Sequence, residues 1–158
     1  MTRRARILAP LLLFVLSSFA VLPLAASGKG HQAESASDTS FDERAAAQAL
    51  GVLRNGLEGH SQHLFLSAFD STKMEGYLTF EDQIEAYFTR YESFRISYHI
   101  LQTSQEEKRG VILADFQIEN EPRGGGRLTR RQAQLRFELE NTSKGWKIVD
   151  MSPRGFFF

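Results

Sequence analysis

The sequence predicts an α+β domain, with helices packed against one face of an antiparallel sheet. Three observations carry this. From Phe41 to Tyr91 apolar residues recur at three- and four-residue intervals, the period of an amphipathic helix. From Phe94 onward the period changes to two, as in a strand with one buried face. The period-two runs are separated by short polar or glycine-rich stretches, which suit hairpins rather than helical crossovers.

The chain has 158 residues, of which 42% are hydrophobic and 24% charged. That is enough for one domain with its own core. It contains no cysteine, which excludes a disulfide scaffold, a thiolate metal site and a cysteine nucleophile. Its 19 basic and 19 acidic residues balance, whereas a nucleic-acid binder needs a basic surplus to neutralise phosphates.

The first segment reads as a leader. Arg3, Arg4 and Arg6 precede an apolar run over 7–24, and Ala25-Ala26-Ser27 supplies small residues where a signal peptidase cuts. Pro10, Ser17-Ser18 and Pro23 interrupt the run, which favours a cleaved signal peptide over a retained membrane anchor. Export would place the mature chain in the periplasm or outside the cell. Cleavage removes three basic residues and no acidic one, leaving a mildly acidic protein. Residues 28–39 carry no large apolar side chain and read as a tether; the domain is expected over 40–158.

Ser40-Phe41-Asp42-Glu43 has the form of a capping box. It opens a first helix whose stripe is Phe41, Ala45, Ala49, Leu53 and Leu57, with Gly56 and Gly59 as its stop. A short second helix over 61–69 offers Leu64, Phe65, Ala68 and Phe69 as its buried side. Thr79-Phe80-Glu81-Asp82 opens a third, with Phe80, Ile84, Tyr87, Phe88 and Tyr91 facing inward. Four strands follow. Their inward residues are Phe94, Ile96, Tyr98 and Ile100; Ile112, Ala114, Phe116 and Ile118; Ala133, Leu135, Phe137 and Leu139; and, on a last strand over 146–151, Trp146 and Ile148. The polar connections are 104–110, 120–128 and 141–145.

This order of elements resembles the NTF2-like (SnoaL-like) superfamily, related to the cystatin fold. Local segments are similar as well: Leu57-Glu58-Gly59-His60 followed by Leu64-Phe65-Leu66 and Phe69-Asp70, then Phe80-Glu81-Asp82 into Tyr87-Phe88, and finally Gly145-Trp146-Lys147-Ile148. The likeness spans 41–154. It implies three N-terminal helices and a curved four-stranded sheet forming a cone with a pocket at its open end. Members include isomerases, dehydratases and cyclases as well as non-catalytic binding and dimerisation modules, so the fold alone selects no function. The resemblance makes Phe65, Phe69, Tyr87, Phe88, Tyr91, Phe116, Phe137 and Trp146 the expected lining for a small apolar ligand. No cofactor is implied, and a homodimer through the sheet is the alternative use of the fold.

Three residues are candidates for carboxylate general acid/base chemistry of the isomerase or dehydratase kind. Asp150 shares strand parity with Trp146 and Ile148, which points it inward, where burial would raise its pKa; the rival is a surface pair with Arg154. Asp115 alternates with Phe116 and faces outward if Phe116 faces the core. Tyr98, like Tyr87 and Tyr91, offers a hydroxyl or simply a core ring with its polar tip at the edge. His60 and His63 beside Glu58 have metal-ligand spacing, but a helix junction explains them as capping groups, and no metal is expected. Arg123, Arg127, Arg130 and Arg131 around Gly124-Gly125-Gly126 read as a solvated turn. Phe156, Phe157 and Phe158 are expected to cover the sheet edge, fill the cone or dock on a second copy. The reading that weighs these together is an exported, non-catalytic binding or dimerisation domain.

N-terminal sequencing of the exported protein should find Gly28 as the first residue. Full-length chain held in the membrane would contradict the cleaved leader.

Overall fold

The computed structural model describes residues 40–158; the expected leader and nearly all of the tether lie outside the described residues. The elements in chain order are α1 (Glu43–Glu58), α2 (Gln62–Leu66), α3 (Tyr77–Arg90), β1 (Tyr91–Glu106), β2 (Arg109–Pro122), β3 (Thr129–Thr142), β4 (Gly145–Ser152) and a 3-10 turn (Arg154–Phe157). The strands form one antiparallel sheet in the order β1-β2-β3-β4. The α+β class follows directly.

The helix boundaries differ from the expected ones for local reasons. Asp42, not Ser40, caps α1: its Oδ1 accepts the Ala45 N–H at 2.7 Å. The buried stripe is Ala46, Ala49, Leu50, Leu53 and Leu57, and the helix stops at Gly59, whose N–H reaches the Asn55 carbonyl at 2.9 Å. Gly56 does not end the helix. It lies inside it, where an added Cβ would stand 2.4 Å from the Phe65 nitrogen, so α2 rests its backbone directly on α1. Ser61 caps α2 through the Leu64 N–H at 3.2 Å. Phe65 and Leu66 are buried, while Leu64, expected inside, is 38% exposed. Gly76, in a left-handed conformation with φ of 69°, precedes α3, and Thr79 sits within that helix rather than at its start.

The sheet's inner face carries Phe94, Ile96, Ile112, Ala114, Phe116, Ile118, Leu135, Phe137 and Leu139, all buried. Three irregularities interrupt the alternation. At the start of β1, Tyr91 pairs with Pro122 but Ser93 with Glu121, so Glu92 is inserted. In β1, Ile100 pairs with Ala114 but Gln102 with Leu113, so Leu101 is the inserted residue. In β4, Ile148 pairs with Leu139 but Asp150 with Glu138, so Val149 is inserted. Because side chains alternate with period two, an inserted residue reverses every face beyond it.

The β1 bulge brings Gln105 onto the inner side, where its Oε1 accepts the Phe41 N–H at 2.9 Å. Phe41 also lays its ring over Gly110, leaving no room for a Cβ there, and meets Trp146 edge-on at 4.8 Å. These contacts fix where the chain enters α1. The free edge of β4 is partly covered by the segment after α2: Ile148 N–H donates to the Ala68 carbonyl at 2.9 Å, and Asp70 N–H to the Ile148 carbonyl at 2.8 Å. Covering an edge in this way blunts strand addition by another chain.

The outer face is a ladder of cross-strand charges. Glu119 accepts from Arg130 and, at 3.4 Å, lies near Arg95. Arg109 pairs with Glu138 at 2.8 Å and Glu140 at 3.1 Å, and Lys73 meets Glu140 at 2.7 Å. Lys73 holds the Glu140 carboxyl below its usual range, and Arg130 does the same for Glu119. Each such exposed pair contributes little to stability, but together they leave this face polar.

Gly56→Ala should destabilise the protein by about 1–3 kcal/mol in urea melts, the usual cost of overpacking against atoms that cannot move aside. A gain in stability, as helix propensity alone would give, would contradict the backbone contact.

Candidate functional site

The candidate site is the aromatic interior between the helices and the sheet. Phe116, in the middle of β2, stacks on Tyr98 at 5.3 Å and touches Phe137 at 5.4 Å. From the helical side, Phe65 meets Phe69 at 5.5 Å and Phe88 at 6.0 Å. The space between these two groups is filled by the chain's last rings. Phe157 packs edge-on to Phe65 at 5.1 Å, Phe156 lies 6.2 Å from Phe116, and the two touch each other at 5.2 Å. Phe157 is 0% exposed. Of the roles open to Phe156 and Phe157, filling the interior is the one adopted.

Of the expected lining, Phe65, Phe69, Tyr87, Phe88, Tyr91, Phe116 and Phe137 belong to this one buried cluster. Trp146 does not reach it fully. It stays half-buried at the margin, and with Ala45, Ala49 and Val52 it borders a separate cleft of about 140 Å³ beside α1.

One end of the interior is polar. The Tyr87 hydroxyl donates to Asn120 Oδ1 at 2.8 Å. Among the described residues Asn120 is the single polar residue that is buried, at 0% exposure, and its Nδ2 has no acceptor. Burial pushes the Tyr87 phenol far above its ordinary pKa, and the Asn120 hydrogen bond and the Arg131 charge offset only part of that. The phenol is therefore a neutral donor at any physiological pH.

Arg131 faces the same interior. It pairs with Ile118 across the β2–β3 ladder, and paired residues share a face. Its Nη1 donates to two main-chain oxygens of the terminal turn, Phe158 at 2.7 Å and Phe156 at 3.2 Å.

Sequence reasoning missed Asn120 and Arg131 because both fell in what reads as a solvated connection. Strand parity was the signal: Asn120 continues Ile112, Ala114, Phe116 and Ile118, and Arg131 precedes Ala133, Leu135 and Phe137. Two other arginines of that stretch point elsewhere. Arg123 donates to the Thr89 carbonyl at 3.1 Å, and Arg130 to Glu119.

The candidate catalytic residues are not brought together. Asp150 was expected inward by parity; the Val149 bulge turns it out. Its side chain is 43% exposed and bonded to Arg154 at 2.7 Å, and Arg154 also donates to the Glu75 carbonyl at 2.8 Å. Asp115 is exposed on the outer face, 3.5 Å from the Gln134 amide. Tyr98 lies on the opposite, inner face, half-buried. His60 stacks on Phe94 at 5.5 Å, whereas His63 borders a separate open cleft of about 760 Å³ with Asp70, Lys144 and Lys147. Among the described residues no group of three His, Cys, Asp or Glu side chains could hold a metal ion.

Tyr87→Phe leaves a fully buried amide with neither end paired. It should cost about 1–3 kcal/mol, and adding Asn120→Leu should recover most of that, because removing both partners leaves no orphan. Strictly additive losses in denaturant melts would contradict the coupling.

No protein-family model and no curated protein matches the sequence. Solved structures do match in fold. An NTF2-like superfamily protein from Salmonella enterica superposes with a TM-score of 0.61 at 9% identity, over 68% of this chain and 86% of that one. A ketosteroid isomerase-like protein from Erwinia carotovora gives 0.56 at 14% identity, over 70% and 95%. A protein with a cystatin-like fold from Nostoc punctiforme gives 0.55 at 12%, over 70% and 87%. With helices leading into a four-stranded antiparallel meander, the described residues have the NTF2-like fold that these structures share.

Proposed function

We propose that this is a non-catalytic NTF2-like binding domain that takes a small apolar ligand into its aromatic interior, in the space Phe156 and Phe157 fill when no ligand is bound. In this reading the helices and sheet form the cone the resemblance implies, and the terminal turn stands in its mouth. The observation that carries the proposal is the chemistry of the interior walls. They are mainly phenylalanine, tyrosine, leucine and isoleucine, and the single buried polar residue among the described residues is an amide. The carboxylate acid/base chemistry open to this chain would need Asp150 or Asp115 within hydrogen-bond reach of the bound substrate; both lie on the outer side of the sheet. An apolar cavity with one or two donors suits binding.

Dimerisation through the sheet is the weaker use of this surface, because the outer face already satisfies its charges by cross-strand pairing. The basic and apolar N-terminal segment supports a working place outside the cytoplasm after cleavage.

The probe is ethylbenzene, a neutral ring of the size of a phenylalanine side chain, titrated into isotopically labelled protein. The expected outcome is saturable shifts of amide signals at 154–158 and around Phe116, stronger in Phe157→Leu, where the interior has lost a ring. Asp150→Asn and Asp115→Asn should leave the affinity unchanged. Shifts confined to the outer face, none in either protein, or loss of binding in Asp150→Asn would contradict the proposal.

A further inference from the structure

A second cavity lies outside the aromatic interior: the open cleft of about 760 Å³ that His63 borders, a volume in the range of small-molecule sites. Three segments build it, the turn after α2, the start of α3 and the β3–β4 hairpin. The turn is pinned to β4, where Ile148 exchanges main-chain hydrogen bonds with Ala68 and Asp70. Within the turn, Asp70 Oδ1 accepts the Thr72 N–H at 2.9 Å and the Thr72 hydroxyl at 2.6 Å. In the hairpin, the Thr142 hydroxyl donates to the Gly145 carbonyl at 2.7 Å and accepts the Lys144 N–H at 3.1 Å. Lys147 ties hairpin to helix by donating to the Ser67 carbonyl. These contacts shape the cleft before any ligand arrives.

The lining combines apolar and polar surface. Buried Leu66 and Phe69 border the cleft, and half-buried Tyr77 adds a ring. Burial, and then the charge of Glu81, push the Tyr77 phenol up, so its hydroxyl stays a neutral donor. The charged groups balance: two carboxylates, Asp70 and Glu81, stand with two ammonium groups, Lys144 and Lys147. Among the described residues the side chains of Glu81 and Lys144 make no hydrogen bond or ion pair, which leaves one acceptor and one donor uncommitted.

That balance selects a ligand class. A simple anion would meet the two carboxylates, and a simple cation the two lysines. A neutral sugar meets neither penalty. Each of its hydroxyls both donates and accepts, and its ring offers a C–H face to an aromatic side chain. We propose that this cleft is a saccharide-binding site, in which the sugar ring lies on Tyr77, Glu81 accepts from its hydroxyls and Lys144 donates to them. Hydrogen bonds to charged partners are the stronger kind. The site requires no movement of 154–158 and is independent of what the interior binds.

The test titrates cellobiose, maltose, lactose and N,N′-diacetylchitobiose, each separately, into isotopically labelled protein. At least one should bind saturably in the millimolar range, shifting amide signals at 70–73, 77–81 and 142–147. For that sugar, Tyr77→Ala, Glu81→Ala and Lys144→Ala should each weaken binding about tenfold, the effect of one ring contact or one charge-assisted hydrogen bond. Tyr77→Phe and Glu81→Gln should keep most of the affinity. Tyr77 packs partly against the core; should Tyr77→Ala fail to fold, the Glu81 and Lys144 variants, which break no contact, carry the test. Raising the salt concentration should leave the affinity unchanged, because a neutral ligand has no charge to screen. Failure of all four sugars to shift these signals would overturn the proposal. So would tighter binding there of inorganic phosphate or free phenylalanine, or unchanged sugar affinity in Glu81→Ala and Lys144→Ala.

Discussion

Helices and sheet are joined here through rings: Tyr87 and Phe88 of α3 meet Phe94 of β1 directly, and a second junction runs through Phe157. That residue lies between Phe65 of α2 and Phe156, and Phe156 in turn lies against Phe116 of β2. Burying a side chain of this size contributes about 1.5–3 kcal/mol, and a favourable ring pair about 0.5–1.5 kcal/mol more. The long backbone hydrogen bonds of the terminal turn contribute little beside that. The rings therefore hold the turn, and the turn completes the core. This arrangement makes the interior a main source of cohesion, and under the proposed function a ligand would draw on the same contacts.

Two of the bulges, at Leu101 and Val149, set what faces that interior. Beyond Leu101 the reversal of β1 turns Gln105 inward to receive Phe41, which fastens the entry to α1. Beyond Val149 the reversal of β4 turns Met151 inward and Asp150 outward to Arg154. One inserted residue thus removes the carboxylate that would have made acid/base chemistry plausible, and replaces it with a buried methionine, 1% exposed. The polar side chains that reach the interior include those of Tyr87, Asn120 and Arg131.

Much of this was readable from the residues. The period of two located the inner face from Phe94 to Ile96, from Ile112 to Ile118 and from Leu135 to Leu139, because one buried face is a strong constraint on spacing. The period failed only past the bulges, and neither Leu101 nor Val149 differs in type from an ordinary strand residue. Boundaries were less accurate than elements: a cap is decided by which side chain reaches a free N–H, and Asp42 competes there with Ser40. Asn120 and Arg131 were hidden by their neighbours. A stretch holding Pro122 and Gly124 to Gly126 reads as turn, yet the strands run on to Pro122 and begin again at Thr129, which carries both residues onto the inner face. The terminal phenylalanines could be seen to need burial, but their destination depends on the distance between helices and sheet, which no local pattern records.

The central claim is that 154–158, although its rings are part of the core, opens separately from the rest of the domain. Native-state hydrogen exchange tests it most directly, because it reads the opening of each segment separately. The account predicts that the Phe157 and Phe158 amides exchange through a local opening far more readily than Phe116, Ile118, Leu135 and Phe137, and that opening the turn leaves the strands protected. Equal protection of the turn and the central strands, with all of them lost together on global unfolding, would make the turn a permanent part of the core and contradict the account.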